Sequence, residues 1–235
     1  MSEFVIQPQE QPALEVAGTS GRFPVRRIYC VGRNYAEHAR EMGDSGREAP
    51  FFFSKPADTL LTIKDGETGS MSYPSSTSDL HHEVELVAAL GSGGTNLTPE
   101  QAQQAIWGYA VGLDMTRRDL QGAAKAKGRP WEPGKAFEQS APIGPLHPLA
   151  STGALDKGAI TLSVNGQERQ TGDLSDMIWS VAESIAHLST LFELKAGDLI
   201  FTGTPAGVAA VVPGDELTGN IDGLGQLKVK IVPAA

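Results

Sequence analysis

Apolar residues in this chain come in short runs, and most of the runs are cut off by glycine or proline. Arg27 to Val31 ends at Gly32, Phe51-Phe52-Phe53 is followed by Lys55-Pro56, and Val84 to Leu90 stops at Gly91-Ser92-Gly93-Gly94. Leu199-Ile200-Phe201 leads into Thr202-Gly203-Thr204-Pro205. Runs of this length suit strands, and the residues that bound them favour turns over helix continuation. Asn165-Gly166, between Ile160 to Val164 and Gln167 to Gln170, is the strongest short hairpin signal a sequence can carry. Gly108 to Leu113, Leu217 to Ile221 and Leu227 to Val232 read as further strands.

The helical signals are few. Thr98-Pro99-Glu100-Gln101 offers an N-cap, a proline at the first helical position and a glutamine placed for a capping box, so a helix is expected to run to about Ile106. Arg117 to Ala126 and the amphipathic Ser180 to Leu191 read as two more. Asn34 as N-cap and Gly43 beyond the last turn bracket a short helix that ends near Met42. Many short strands with few, short helices predict a β-rich α+β fold rather than a doubly wound one. The 235 residues are enough for one substantial core. Residues 1–24, with strand-like pieces Phe4-Val5-Ile6 and Ala13 to Val16 broken by Pro8 and Pro12, are expected to form an arm or edge hairpin before one domain over 25–235.

A net charge of −9 argues against a nucleic-acid surface, which needs clustered positive charge. The single cysteine, Cys30, excludes an intramolecular disulfide and any multi-cysteine metal site, and its strand-like setting reads as a buried structural thiol. No apolar run reaches the roughly 20 residues of a membrane span, and Met1 to Ala17 lacks the basic start and apolar middle of a signal peptide. A soluble cytoplasmic protein is expected.

Within the strand-like run, Glu83-Val84-Glu85 places two acids on one face while Val84 and Leu86 face a core. Adjacent like charges repel, and a divalent cation between them removes the conflict. All-oxygen ligation suits a hard ion such as Mg²⁺, Mn²⁺ or Ca²⁺. The plainer alternative is a solvent-exposed strand face. On the short helix, His38 and Glu41 are three residues apart and share a face, an arrangement in which a carboxylate orients an imidazole and raises its basicity; a surface charge pair is the alternative. Asp114 closes an apolar strand and is equally placed to cap the next helix. Lys135, in Trp131-Glu132-Pro133-Gly134-Lys135, could steady an oxyanion or be merely solvated. Thr202-Gly203-Thr204-Pro205 offers hydroxyls and backbone N–H groups to an anion.

Taken jointly and in order, Tyr29-Cys30-Val31-Gly32-Arg33-Asn34-Tyr35, Phe53-Ser54-Lys55-Pro56, His81-His82-Glu83-Val84-Glu85-Leu86, Gly112-Leu113-Asp114-Met115-Thr116-Arg117-Arg118-Asp119-Leu120-Gln121, Lys135-Ala136-Phe137 and Thr202-Gly203-Thr204-Pro205-Ala206-Gly207-Val208 closely resemble the fumarylacetoacetate hydrolase superfamily. The likeness is to its small single-domain members, the acylpyruvate and fumarylpyruvate hydrolases, and covers about residues 26 to 232. The resemblance implies a mixed β-sandwich roll, a homodimer and a Mg²⁺ or Mn²⁺ site. It assigns Glu83, Glu85 and Asp114 to the metal, His38 and Glu41 to water activation on a lid helix, Lys135 to the active site, and Arg33, Gln121 and Thr204 to substrate contact. The implied reaction is hydrolysis of a carbon–carbon bond in an acylpyruvate, most of all fumarylpyruvate. Decarboxylation of a β-keto acid such as oxaloacetate, or dienol isomerisation, would use the same metal platform. A metal or dicarboxylate binding module without turnover is the non-enzymatic alternative. His81 and His82 are expected to support the site rather than ligate.

Overall fold

The computed structural model describes residues 4–35 and 48–234. The larger of its sheets has eight strands. Across it lie Phe51–Lys55, Arg27–Gly32, Asp198–Phe201, Val84–Leu90, Ile106–Leu113, Ala141–Ile143 and Leu60–Thr62, with His147–Pro148 also paired to Ile106–Leu113. Arg27–Gly32 runs parallel to Asp198–Phe201, whereas Val84–Leu90 is antiparallel to both Asp198–Phe201 and Ile106–Leu113. These directions bring four strand termini to one end of the sheet: Gly32, Phe201, Leu113 and Val84. Glu83, Glu85, Asp114 and the 202–205 turn all sit at or just beyond those termini.

The second sheet has five strands, in the order Gln167–Asp173, Ala159–Val164, Glu216–Ile221, Gly225–Val232 and Thr68–Ser72. All its pairs are antiparallel except the last. Asn165 and Gly166 both adopt left-handed backbone at the hairpin tip (φ 52° and 76°), as that turn requires. Val84, Leu86, Val111 and Leu113 of the large sheet share one core with Ile160, Leu162, Leu217 and Val229 of the small one. The architecture is the expected β-rich α+β fold with two packed mixed sheets.

The large sheet is covered on its other face as well. Ala13–Glu15 and Arg22–Pro24 form a hairpin whose Leu14 and Phe23 join Ile28, Cys30, Val87, Ala89, Leu199 and Phe201 in a second apolar cluster. Val84–Leu90 is therefore buried at every position instead of alternating, the pattern of a strand with both faces covered. Cys30 is fully buried, and burial raises its thiol pKa well above the ordinary value, as suits a structural cysteine.

The capping box of Thr98 and Gln101 starts the helix Pro99–Ala105, which packs on Val181–Leu191, itself opened by a capping box of Ser180 and Glu183. Arg118–Ala126 is the third of the expected helices. One expectation fails. Phe4-Val5-Ile6 forms no strand and is exposed; Pro8 and Pro12, which follow it, cannot donate to a ladder. The helix expected from Asn34 to Met42 falls on residues 36–47, outside the described residues, and His38 and Glu41 with it. Among the described residues, no helix is long and apolar enough to cross a membrane.

Candidate active site

Glu83 immediately precedes the strand Val84–Leu90, Glu85 lies within it opposite Gly112, and Asp114 follows the neighbouring strand. The Asp114 N–H donates to the Glu83 carbonyl at 2.8 Å, which extends the ladder by one step and sets the two acids side by side. Ligand oxygens of Glu83, Glu85 and Asp114 all lie within 4.8 Å of one another. The three side chains are 5%, 2% and 1% exposed, which rules out the solvent-exposed strand face. Burial, with Asp114 and Glu83 close by, raises the pKa of Glu85 well above the carboxylate range. Such a cluster costs folding energy unless something positive answers it.

Three cations answer in part. The Lys135 ammonium donates to Glu83 Oε2, Asp114 Oδ2 and Thr116 Oγ1, each at 2.7 Å, so all three of its hydrogens are engaged. Burial alone would lower the Lys135 pKa, but Asp114 and Glu83 outweigh it and hold the pKa above the ordinary value. Lys135 therefore stays charged at neutral pH, a donor to anions rather than a base. It reaches the acids from the short helix Glu132–Lys135, which can approach Arg118–Ala126 because residue 134 is glycine: a Cβ there would lie 2.8 Å from the Gln121 nitrogen. Arg118 donates to Glu83 Oε1 at 2.5 Å and to Gln121 Oε1 at 2.6 Å. Lys55 places its ammonium 2.9 Å from Asp114 Oδ1, within ion-pair reach but off the line of a hydrogen bond, and donates to the Lys135 carbonyl.

The turn after Asp198–Phe201 closes the site. Gly203 takes a left-handed backbone (φ 96°) and its N–H donates to Glu85 Oε2 at 2.8 Å. Thr202 Oγ1 donates to the Leu86 carbonyl, and Thr204 Oγ1 to the Val84 carbonyl. Arg33, at the start of the segment after Gly32, also has left-handed backbone (φ 54°), a strained state for a residue with a side chain. Its guanidinium lies 5.6 Å from the Phe51 ring centre.

One pocket is lined by Glu83, Glu85, Asp114 and Lys135 together with Arg33, Gln121 and Thr204. All the residues expected from the sequence that lie among the described residues thus meet in one place. Arg118, like Arg33 a basic residue expected near the site, lines the same pocket, whereas Lys55 was not expected there. The signal for Lys55 was a lysine closing an aromatic strand before a proline, a position that burial makes costly without a partner. His81 and His82 are held by partners outside the three acids: His81 Nε2 meets Asp79 Oδ1, and His82 Nδ1 meets Gln170 Oε1, both at 2.8 Å. Burial lowers the His82 pKa to about 4, so its ring is neutral.

The residues fit a hard divalent cation. The donor set is wholly carboxylate oxygen, and Asp114 Oδ1 is buried without a hydrogen bond, with the Lys55 ammonium close to it but off the hydrogen-bond line.

Comparison with known proteins agrees. Residues 27–232 match the fumarylacetoacetate hydrolase C-terminal family. A fumarylpyruvate hydrolase from Ralstonia is 44% identical over 81% of this chain and 97% of its own length. An oxaloacetate tautomerase from Escherichia coli is 44% identical over 86% of this chain and 90% of its own. The crystal structure of fumarylpyruvate hydrolase from Pseudomonas aeruginosa, in complex with Mn²⁺ and pyruvate, superposes with a TM-score of 0.97 at 54% identity, covering 98% of this chain and all of that one.

Proposed function

The chain belongs to the fumarylacetoacetate hydrolase family, and from that premise we propose that it hydrolyses fumarylpyruvate to fumarate and pyruvate. The observation that carries the reading is the convergence of Glu83, Glu85 and Asp114 with Lys135 in one pocket, in a chain 54% identical to a fumarylpyruvate hydrolase along nearly its whole length. Glu83, Glu85 and Asp114 would hold Mg²⁺ or Mn²⁺. When bound, the cation supplies Lewis-acid stabilisation to the pyruvate enolate that carbon–carbon cleavage leaves behind.

Charge sets the substrate class. Glu83, Glu85 and Asp114 are balanced by Lys55, Lys135 and Arg118, so a divalent ion leaves the site positive, and Arg33 on the wall adds to it. Fumarylpyruvate, with a carboxylate at each end, answers that charge. Lys135, held as an ammonium, steadies by its positive charge the oxyanion that forms as water adds to the distal carbonyl. Arg33, Gln121 and Thr204 line the wall on which the acyl arm lies. His38, supported by Glu41, takes the proton of the attacking water in this reading; both residues are assigned from the sequence motif.

Oxaloacetate, also a dianion with a 2-oxo acid head, fits the same charge, and the Escherichia coli relative bears an oxaloacetate name. A spectrophotometric assay of purified protein against fumarylpyruvate, acetylpyruvate and oxaloacetate, with EDTA or with added Mg²⁺ or Mn²⁺, tests the proposal. Metal-dependent loss of fumarylpyruvate with release of pyruvate supports it; oxaloacetate turnover without fumarylpyruvate cleavage would move the chain to the alternative. A homodimer and a cytoplasmic location go with this reading, and light scattering and cell fractionation test them.

A further inference from the structure

The strand Gln167–Asp173 lies at the edge of the small sheet, and Gln170 is its one fully buried residue. A buried amide on an edge strand does nothing for an apolar core, so its partners are informative. Gln170 Oε1 accepts from the Val84 N–H at 3.1 Å and from His82 Nδ1 at 2.8 Å. Gln170 Nε2 donates to Thr204 Oγ1 at 2.7 Å and to the Pro205 carbonyl at 2.8 Å. The two backbone groups fix the amide's orientation, since a flip would set N–H against N–H and oxygen against oxygen. His82 must then carry its proton on Nδ1, and every donor in the chain from His82 through Gln170 and Thr204 to the Val84 carbonyl points one way.

What this chain ties together is the start of the strand that carries Glu83 and Glu85 to the turn that carries Gly203. A second buried amide grips the same turn from its other side. Asn34 Nδ2 donates to the Thr202 carbonyl at 2.8 Å and to the Trp179 carbonyl at 2.9 Å, and Asn34 Oδ1 accepts from the Trp179 N–H. Between the two grips, the Gly203 N–H meets Glu85 Oε2. The contacts are close: a Cβ on Gly203 would lie 2.7 Å from the Asn34 Cβ, and one on Gly207 would lie 2.0 Å from the Arg169 carbonyl oxygen.

We propose that Gln170 and Asn34 are positioning residues of the cation site, two amides that clamp the 202–205 turn so that the Gly203 N–H orients the Glu85 carboxylate toward Glu83 and Asp114. The proposal rests on the metal assignment above. Its test is Mn²⁺ affinity, read by the electron paramagnetic resonance of free Mn²⁺, beside the melting temperature of the metal-free protein. Gln170→Met keeps the size of the side chain and removes both its acceptor and its donors; Gln170→Glu keeps the acceptor and removes the donors; Asn34→Asp does the same on the other side. Each is expected to weaken Mn²⁺ binding about 10- to 100-fold, the usual effect of removing a group that orients a metal ligand. Wild-type Mn²⁺ affinity in any of the three that folds would overturn the proposal, however far its melting temperature has dropped, because a merely structural amide would lower stability and leave the ligands aligned. Glu85→Gln, run in parallel, separates the two levels. If it too keeps full Mn²⁺ affinity, the metal assignment fails; if it alone loses Mn²⁺, the clamp fails and the metal site stands.

Discussion

The two ends of the large sheet treat buried acid in opposite ways. At the end where Asp198–Phe201 begins, the Asp198 carboxylate takes Arg26 Nη1 on both oxygens, at 2.9 and 3.0 Å, and the Lys195 N–H at 2.9 Å. That acid is satisfied, and it ties a turn to the neighbouring strand. At the opposite end, Glu83, Glu85 and Asp114 crowd together, Asp114 Oδ1 makes no hydrogen bond, and burial with Asp114 and Glu83 beside it raises the pKa of Glu85 well above its ordinary value. The first arrangement serves the fold. The second costs stability, the mark of a site built to bind.

The sharpest way to break this contrast is to remove an acid from each end. Asp114→Ala is expected to abolish metal-dependent turnover and Mn²⁺ binding while the circular dichroism spectrum is kept; a variant with normal rate and affinity would dissolve the functional end. His38→Ala should leave Mn²⁺ binding intact and lower hydrolysis by roughly 10²–10⁴-fold, the ordinary share of a general base, so undiminished kcat would remove it from the reaction. Asp198→Asn, at the satisfied end, should cost about 1–3 kcal/mol in urea unfolding with kcat unchanged, since a buried acceptor set is weakened far from the pocket.

The smallest effect has the opposite sign. Glu85→Gln should raise the melting temperature of the metal-free protein at pH 7 by roughly 2–4 °C, the shift about 1 kcal/mol produces in a chain of this size, while losing the metal. The pH dependence follows from the direction of the shift. Glu85 has a raised folded-state pKa, so its contribution to stability is full below the unfolded carboxylate pKa of about 4.3 and is lost as pH rises through the folded value. The gap between Glu85→Gln and the parent should therefore close as pH is lowered toward 4, and a gap independent of pH would show that Glu85 carries no electrostatic strain.

Much of the architecture was legible because local chemistry and tertiary structure agreed. The capping residues Thr98 with Gln101 mark one helix start, the amphipathic pattern of Ser180 to Leu191 marks another helix, and Asn165-Gly166 marks the hairpin. Thr68–Ser72 escaped notice because Thr-Gly-Ser-Met-Ser is polar and only Met71 is buried; its strand state comes from pairing with Gly225–Val232, more than 150 residues on. Leu60–Thr62 and Ala141–Ile143 are too short to declare a period and exist as strands because each lies beside the other.

In the site, the acids were legible because Glu-Val-Glu inside an apolar run is locally anomalous, whatever the rest of the chain does. Their depth was not, since it depends on Arg118, Lys135 and the turn carrying Gly203, which reach them from distant parts of the chain. Lys55, Gln170 and Asn34 look ordinary in sequence: a lysine before proline, a glutamine in a polar hairpin strand, an asparagine placed like a helix cap. What the chain determines by itself is the residues able to ligate, donate and turn, because those properties belong to single side chains and near neighbours. Tertiary structure alone decides which of them share a pocket and which amide faces which carbonyl, because such contacts join residues such as Val84 and Gln170, or Asn34 and Thr202, that no local pattern links.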